Sequence, residues 1–299
     1  EDYLMNKDIY VVVEQVDGVV QKVGIELIGI ASKLAADLGQ EVVAVLLGKE
    51  VRGLADNLIH HGANKVICVE DPILEHYATE PYTKALNAVV EAKKPEIVLY
   101  GATSIGRDLA PRVSARVHTG LTADCTKLEI DPEDGKIKQT RPAFGGNIMA
   151  TIICPDNRPQ MSTVRPGVMD KAPKDDSRTG EVVKLNIDLK ESDIRTKVLE
   201  IVKSAHEKIS LTDANIIVSG GKGLGTPDGF KLIAELAEAL GGVVGSSRAA
   251  VDAGWIDRSR QVGQTGVTVH PKVYIACGIS GSYKKLGDYP KALEWILIA

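Results

Sequence analysis

The chain predicts an α/β protein of two domains, each a parallel-sheet, Rossmann-like sandwich. Three observations carry this. From residue 9 to residue 120, short β-branched runs alternate with segments of helical period, as in a parallel sheet with helices on both faces. A hairpin-rich stretch then breaks the alternation, and a second strand–loop–helix pattern starts near residue 215. At 299 residues the chain is long enough for two cores.

In order, IYVVVE (9–14) is a strand, and IELIGIASKLAADL (25–38) is a helix that stops at Gly39. EVVAVLLG (41–48) is a strand, followed by a helix in VRGLADNLIHHG that ends at Gly62. KVICVE (65–70) is the third strand. The helix over 81–94 opens on Pro81, whose missing N–H costs nothing there. EIVLYG (96–101) is a strand and RDLAPRVSARVHTG (107–120) a helix. CTKLEIDPEDGKIKQTRP reads as a hairpin about Asp134-Gly135. NIMATIIC and EVVKLNIDL read as further strands, with a proline-rich segment between them. The first domain is thus 1–190 with a hairpin-rich extension, 191–210 is a linker, and 211–299 is the second domain.

Composition excludes several classes. Net charge is -4 and only 4% of residues are aromatic, which offers nucleic acid neither a basic surface nor stacking platforms. No apolar run approaches a membrane span. Cys68, Cys125, Cys154 and Cys277 are scattered without metal-ligand spacing. Cys68, Cys154 and Cys277 lie in apolar runs and read as reduced core residues, which favours a reducing compartment. His60-His61 at a helix end suit the helix dipole better than a metal.

The second domain opens with NIIVSGGKGLGTPDGFKLIAELAEALGG, in which Ile216 to Val218 is a strand, Thr226 a helix cap and Pro227 a first helical residue. Phe230, Ile233, Leu236 and Leu240 form one helix face. Between strand and helix lies a glycine loop around Lys222 and Gly223 whose spacing matches no phosphate-binding fingerprint. A tight structural turn and a nucleotide loop are equally good readings of it. The strand in VVGSSRAAVDAG ends at Ser247-Arg248, and that in VYIACGISGS ends in Gly278, Ser280, Gly281 and Ser282. Such ends converge on one crevice, the usual ligand position in an open parallel sheet. RQVGQTGVTV (260–269) lies between two of these strands and can fold over the same crevice.

SGGKGL, SSRAAVDAGW, QVGQTG and CGISGS, in this order, resemble the FAD-binding domain of the electron-transfer flavoprotein alpha subunit. YVVVEQVDG, AVLLG, GATSIGRDLAPRVSARVHTGLTADC and RPAFGGNIMATI are similar to that family's first domain, so the resemblance runs from about Lys7 to Leu286. It implies an electron carrier rather than an enzyme, with a beta subunit as partner, non-covalent FAD as cofactor and acyl-CoA dehydrogenase-type flavoenzymes as electron donors or acceptors. The compartment it suggests is the bacterial cytoplasm, with the mitochondrial matrix as second choice. A bifurcating complex with a second flavin and NADH stays open.

The resemblance also implies the site. The flavin does its own redox chemistry, so the protein has to bind, orient and tune it. Gln261, Gln264 and Thr265 would hydrogen-bond the polar edge of the ring, Thr265 at the nitrogen that takes up hydride. Gly263 and Gly266 would bring backbone close to the ring, and Val262 is counted among the cofactor-binding residues of the same phrase. Arg248, always charged, would favour reduced, anionic forms; a charge 4 Å away is worth roughly 4 kcal/mol at an effective dielectric of about 20. Ser247 neighbours the ring, Lys222 reaches a phosphate or the flavin edge, and Gly278, Ser280, Gly281 and Ser282 suit the ribityl or pyrophosphate part. Lys285 stands where the family usually has a histidine. A strand–loop–strand segment that the family places after this point for the adenosine end has no counterpart beyond Leu286, which implies weakened FAD affinity. Two alternatives remain: a stand-alone adenine-nucleotide-binding module, and a flavin dehydrogenase acting on its own substrate.

Overall fold

The β-branched run Ile9–Val13 (β1) is too apolar to face water on either side and becomes the centre of a sheet. The computed structural model describes residues 6–143, 148–196, 198, 200, 211, 214–263, 265–267, 269 and 271–279. The chain divides into two units, Glu1–Ile201 and Val202–Ala299.

In the first unit a small hairpin, Gln15–Val16 (β2) and Val19–Val20 (β3), turns at Asp17-Gly18, both with positive φ. Lys22–Leu38 (α1) follows and is capped by Gly39, whose N–H reaches the Ala35 and Ala36 carbonyls. Next come Val42–Gly48 (β4), Ala55–His60 (α2), Lys65–Glu70 (β5), Thr79–Lys93 (α3), Ile97–Gly101 (β6) and Ser104–Arg116 (α4). Leu121–Cys125 (β7) precedes an antiparallel sheet of Lys127–Ile130 (β8), Ile137–Ala143 (β9) and Ile148–Ile152 (β10). Gln160–Val164 (β11) and Glu181–Lys184 (β12) complete a seven-stranded parallel sheet ordered β12-β5-β4-β1-β6-β11-β7.

Strand periodicity sorts its core onto two faces. Ile9, Val11, Ala44, Leu46, Val66 and Leu99 pack on one side with Leu27, Ile28 and Leu34 of α1. Tyr10, Val43, Val45, Ile67, Val98 and Tyr100 pack on the other with Leu86 of α3 and Leu109 of α4.

Two strands differ from the sequence reading. The proline-rich segment, read as a connection, contains β11, which is buried throughout between β6 and β7. Its polar residues hid it, yet each finds a partner. The Gln160 side chain donates to Glu96 and accepts from the Ile137 amide, and Ser162 donates to Gln139 on β9. Thr163 accepts from the Asp124 amide. The same bonds stitch the antiparallel sheet to the parallel one. EVVKLNIDL does not continue the hairpin region either; only β12 is extended, and it pairs with β5 at the sheet edge. Of the cysteines read as core, Cys68 is buried and its thiol is pushed up to about 11 by burial. Cys154 and Cys277 are only half-buried, because each lies at the end of its apolar run.

In the second unit Ile216–Gly220 (β13) is the central strand, with Val243–Ser246 (β14) and Val273–Cys277 (β15) parallel on either side. Gly229–Ala239 (α5) packs on one face through Phe230, Ile233 and Ala237 against Val218 and Ile275. Leu236 and Leu240 do not share that face: with Leu232 they form an i, i+4, i+8 row that is exposed. Ala237 takes the buried place, its small side chain letting the helix lie close to the strands. The other face of the sheet is covered by Val262, Val267 and Val269.

Candidate functional site

The second unit's site is built where β13, β14 and β15 end. β13 runs into Gly221, whose N–H donates to the Cys277 carbonyl, and Gly223 N–H donates to the Gly278 carbonyl. The loops touch backbone to backbone: a Cβ on Gly223 would lie 2.7 Å from the Gly278 oxygen and 2.8 Å from its Cα. Side chains are excluded here by contact, and Gly278 also needs its positive φ of 63°.

The glycine loop's amides are largely spent. Leu224 and Gly225 donate to the Gly221 and Lys222 carbonyls, and Gly229 and Phe230 donate to Thr226 and Pro227. Thr226 and Pro227 precede α5 as a tight turn rather than cap and first residue. Between the two readings of this loop, the structure supports the structural turn: few N–H groups are left to cradle a phosphate.

β14 ends in Ser246, and Ser247 is the residue before Arg248–Asp252 (α6). Ser247 therefore starts a helix rather than ending a strand, yet its hydroxyl does not cap it. That oxygen is buried without a hydrogen-bond partner among the described residues. A buried hydroxyl left unmet costs about 1–3 kcal/mol, so its position calls for an explanation. Arg248 sits at the helix start, two-thirds exposed, with its guanidinium 3.2 Å from Asp252.

The 261–267 segment lies over β14. Val262 N–H donates to the Ser246 carbonyl, and its side chain joins the core. Gln261 is buried, and its amide donates to the Thr265 hydroxyl at 2.8 Å. With its oxygen occupied by that bond, Thr265 keeps its proton to give elsewhere. Gln261 is thereby a residue that orients Thr265. Gly263 has φ 131°, and Gly266 packs against the Gln261 carbonyl so closely that a Cβ would collide.

Among the residues singled out from sequence, Lys222, Gly223, Ser247, Arg248, Gln261, Val262, Gly263, Thr265, Gly266 and Gly278 stand on these three strand ends and the segment between them. Gln264, Ser280, Gly281, Ser282, Lys285 and the stretch beyond Leu286 lie outside the described residues. Sequence reasoning missed Trp255. It follows α6, its backbone N–H closing on the Ala250 carbonyl, and its ring centroid lies 3.9 Å from the Lys222 ammonium. The available signal was an aromatic placed after a glycine in a chain that has two tryptophans.

The first unit's strand ends are arranged otherwise. Its sheet reverses winding beside β1, where β6 follows on the opposite side from β4, the place where such sheets hold ligands. There the Thr103 hydroxyl donates to Glu14 at 2.6 Å and accepts from the Gly106 amide at 3.0 Å. Burial raises the Glu14 pKa above its ordinary value, and the Thr103 bond offsets part of that. At the end of β5, Glu70 accepts from the Val51 and Arg52 amides, both at 3.0 Å. The Thr103 hydroxyl at the start of α4 and the Glu70 carboxylate at the end of β5 thus take amides that a nucleotide phosphate would use, which counts against a stand-alone nucleotide module. Among the described residues there is no group of three or more acidic, histidine or cysteine side chains placed to hold a metal, and no helix long and apolar enough to cross a membrane.

Comparison with known proteins gives two successive matches. Residues 9–190 match the family model "Electron transfer flavoprotein domain", and residues 210–287 match "Electron transfer flavoprotein FAD-binding domain". The chain is 59% identical over 280 residues to the electron transfer flavoprotein subunit alpha of Thermoanaerobacterium thermosaccharolyticum, covering 94% of this chain and 84% of that protein. It is 53% identical to the subunit of the same name from Megasphaera elsdenii, covering 94% and 83%. A third relative, 48% identical with 92% and 83% covered, is the acryloyl-CoA reductase electron transfer subunit beta of Anaerotignum propionicum.

Proposed function

Because this chain belongs to the electron transfer flavoprotein alpha-subunit family, we propose that the strand ends of its second unit hold and tune the flavin through which it passes electrons. It is an electron carrier rather than an enzyme, its cofactor is FAD, and family membership implies a beta subunit as partner. When bound, FAD supplies the redox chemistry.

The observation that carries the site reading is the buried Ser247 hydroxyl, without a partner among the described residues, beside glycine strand ends too close for side chains. Such a cradle suits a large planar cofactor, and its described members include no carboxylate or histidine that could serve as a substrate's base. Thr265, oriented by Gln261, donates its proton to the ring edge. Ser247 donates its own to the ring. Val262, Gly263 and Gly266 hold the covering segment in place, and Gly223 and Gly278 shape the floor. Arg248 stabilises added negative charge, and Lys222 is a second cation in the same region. Gln264, Ser280, Gly281, Ser282 and Lys285 continue this site in our reading. The partner is an acyl-CoA dehydrogenase-type flavoenzyme, supported by the relative named for acryloyl-CoA reductase. The protein works in the bacterial cytoplasm.

Visible absorption of the purified heterodimer tests the reading: a yellow protein that takes up FAD on this chain is expected, and a colourless one that refuses added FAD overturns it. Arg248→Ala sharpens it. Its pair with Asp252 is exposed, so stability should change by no more than about 0.5 kcal/mol. The one-electron midpoint potential should fall by roughly 40 mV or more, a fraction of the full Coulomb energy. An unchanged potential removes Arg248 from the site.

A further inference from the structure

We propose that Trp255 is a positioning residue, holding the Lys222 ammonium as a fixed positive charge for the negative charge of FAD. The inference rests on the proposed FAD site and concerns a residue outside it. The Lys222 Nζ lies 3.9 Å from the Trp255 ring centroid, well inside the range at which a cation is drawn to an indole face. The contact joins two chain segments: Lys222 follows β13, and Trp255 follows α6, its backbone N–H bonded to the Ala250 carbonyl.

Charge bookkeeping singles this lysine out. Asp228 pairs with Lys231 and Asp252 with Arg248, so these acids of the two segments are engaged with other cations. Among the described residues no carboxylate pairs with Lys222, and its side chain is exposed while Trp255 is half-buried. Lysine gives up much rotamer freedom when it is held, and an exposed cation–π contact returns a modest part of that. Holding a lysine on an indole therefore does little for stability. It keeps a positive charge in one place, and the nearby strand ends are where the flavin cofactor is proposed to sit. FAD offers negative charge at its diphosphate and, when reduced, at the ring.

The test uses the full heterodimer. In a Trp295→Phe background Trp255 is the remaining tryptophan of this chain; with the beta subunit's emission subtracted, adding Lys222→Met to FAD-free protein should shift Trp255 emission. No shift overturns the contact, and this measurement stands whether or not FAD binds. A wild-type protein that refuses FAD would instead overturn the site reading. With FAD, Trp255→Leu should raise the dissociation constant about two- to fivefold, Trp255→Phe less. Added to Lys222→Met, Trp255→Leu should have no further effect. Riboflavin sorts the source of the charge: a loss confined to FAD places the ammonium at the diphosphate. A loss shared with riboflavin, with a lower midpoint potential, places it at the ring. A Trp255→Leu protein that melts earlier but keeps its FAD affinity and potential, or whose effect persists undiminished in Lys222→Met, overturns the proposal.

Discussion

The two parallel sheets are wound alike and end differently. In each, the first strand of the unit lies centrally and the chain builds to one side before crossing to the other. Where β1 and β6 end, Glu14 and Thr103 bridge the crevice and close it with a side chain. Where β13 and β15 end, Gly221 and Gly223 meet Cys277 and Gly278 through backbone alone, and beside them the Ser247 hydroxyl has no partner among the described residues. A shared fold therefore does not confer shared binding; what the strand ends carry decides it. The Thr103 hydroxyl already meets the Gly106 amide that an anion would seek, and Glu14 holds that hydroxyl in place. Glycine ends that meet through backbone put no side chain of their own into the crevice.

The largest expected effect comes from filling the second unit's ends. Gly223→Val places carbon against the Gly278 backbone, which has no flexible side chain to move aside. Overpacking of this kind costs about 1–3 kcal/mol, and the strand ends must part to relieve it. Flavin absorbance per heterodimer should fall to near zero while the first unit's transition in a thermal melt keeps its midpoint. Retention of full flavin content would show that the glycine ends do not form the cradle.

The reciprocal change in the first unit should spare the flavin. Glu14→Ala removes the acceptor of the Thr103 hydroxyl at about 1 kcal/mol, or roughly 2–4 °C for a unit of this size. FAD affinity should not move; if it does, the two crevices are not independent. Titration sharpens the contrast. The Glu14 pKa is raised above its ordinary 4.5, chiefly by burial. A raised pKa means that the folded state holds the proton more tightly than the unfolded one. The associated stability is complete below the ordinary glutamate value and is lost as pH rises through the raised one. Glu14→Gln removes that dependence while keeping an oxygen for Thr103, so its stability relative to wild type should improve from pH 4 to pH 8 in denaturant melts. A flat difference would mean that Glu14 titrates as an ordinary surface acid.

The same contrast explains what could be read in the sequence. β1, β4, β5 and β6 were legible because β-branched runs buried on both faces carry an unmistakable composition. The hairpin at Asp134-Gly135 was legible because its turn residues name it: Gly135 has φ 69°. β11 was hidden because Gln160, Ser162 and Thr163 look like loop residues until Glu96, Gln139 and Asp124 come into reach. Such partnerships span 23 to 64 residues of chain, and no local pattern encodes them. The candidate site was legible as phrases of glycine and small polar residues. Its internal wiring was not: the Gln261–Thr265 bond and the Lys222–Trp255 contact depend on how β13, β14 and the 261–267 segment come together. Helix α5 shows the limit of periodicity, since Leu236 and Ala237 compete for the same face and the smaller residue won by letting the helix approach.

The smallest expected effect is also the most diagnostic of a hydroxyl kept for a ligand. Ser247→Ala deletes an oxygen that has no partner among the described residues. A hydroxyl that serves the fold leaves a deficit when it is removed; one left unmet leaves none, and its removal relieves a desolvation penalty. The FAD-free heterodimer should therefore melt at the same temperature or slightly higher. With FAD present the sign reverses, because the hydroxyl then has something to bond. Losing that bond should weaken binding by about 0.5–1.5 kcal/mol, roughly two- to tenfold in the dissociation constant measured by calorimetry. Opposite signs in the two states are what a reserved ligand contact requires. A variant less stable in both would show Ser247 to be part of the scaffold and would bring the second crevice closer to the self-closed character of the first.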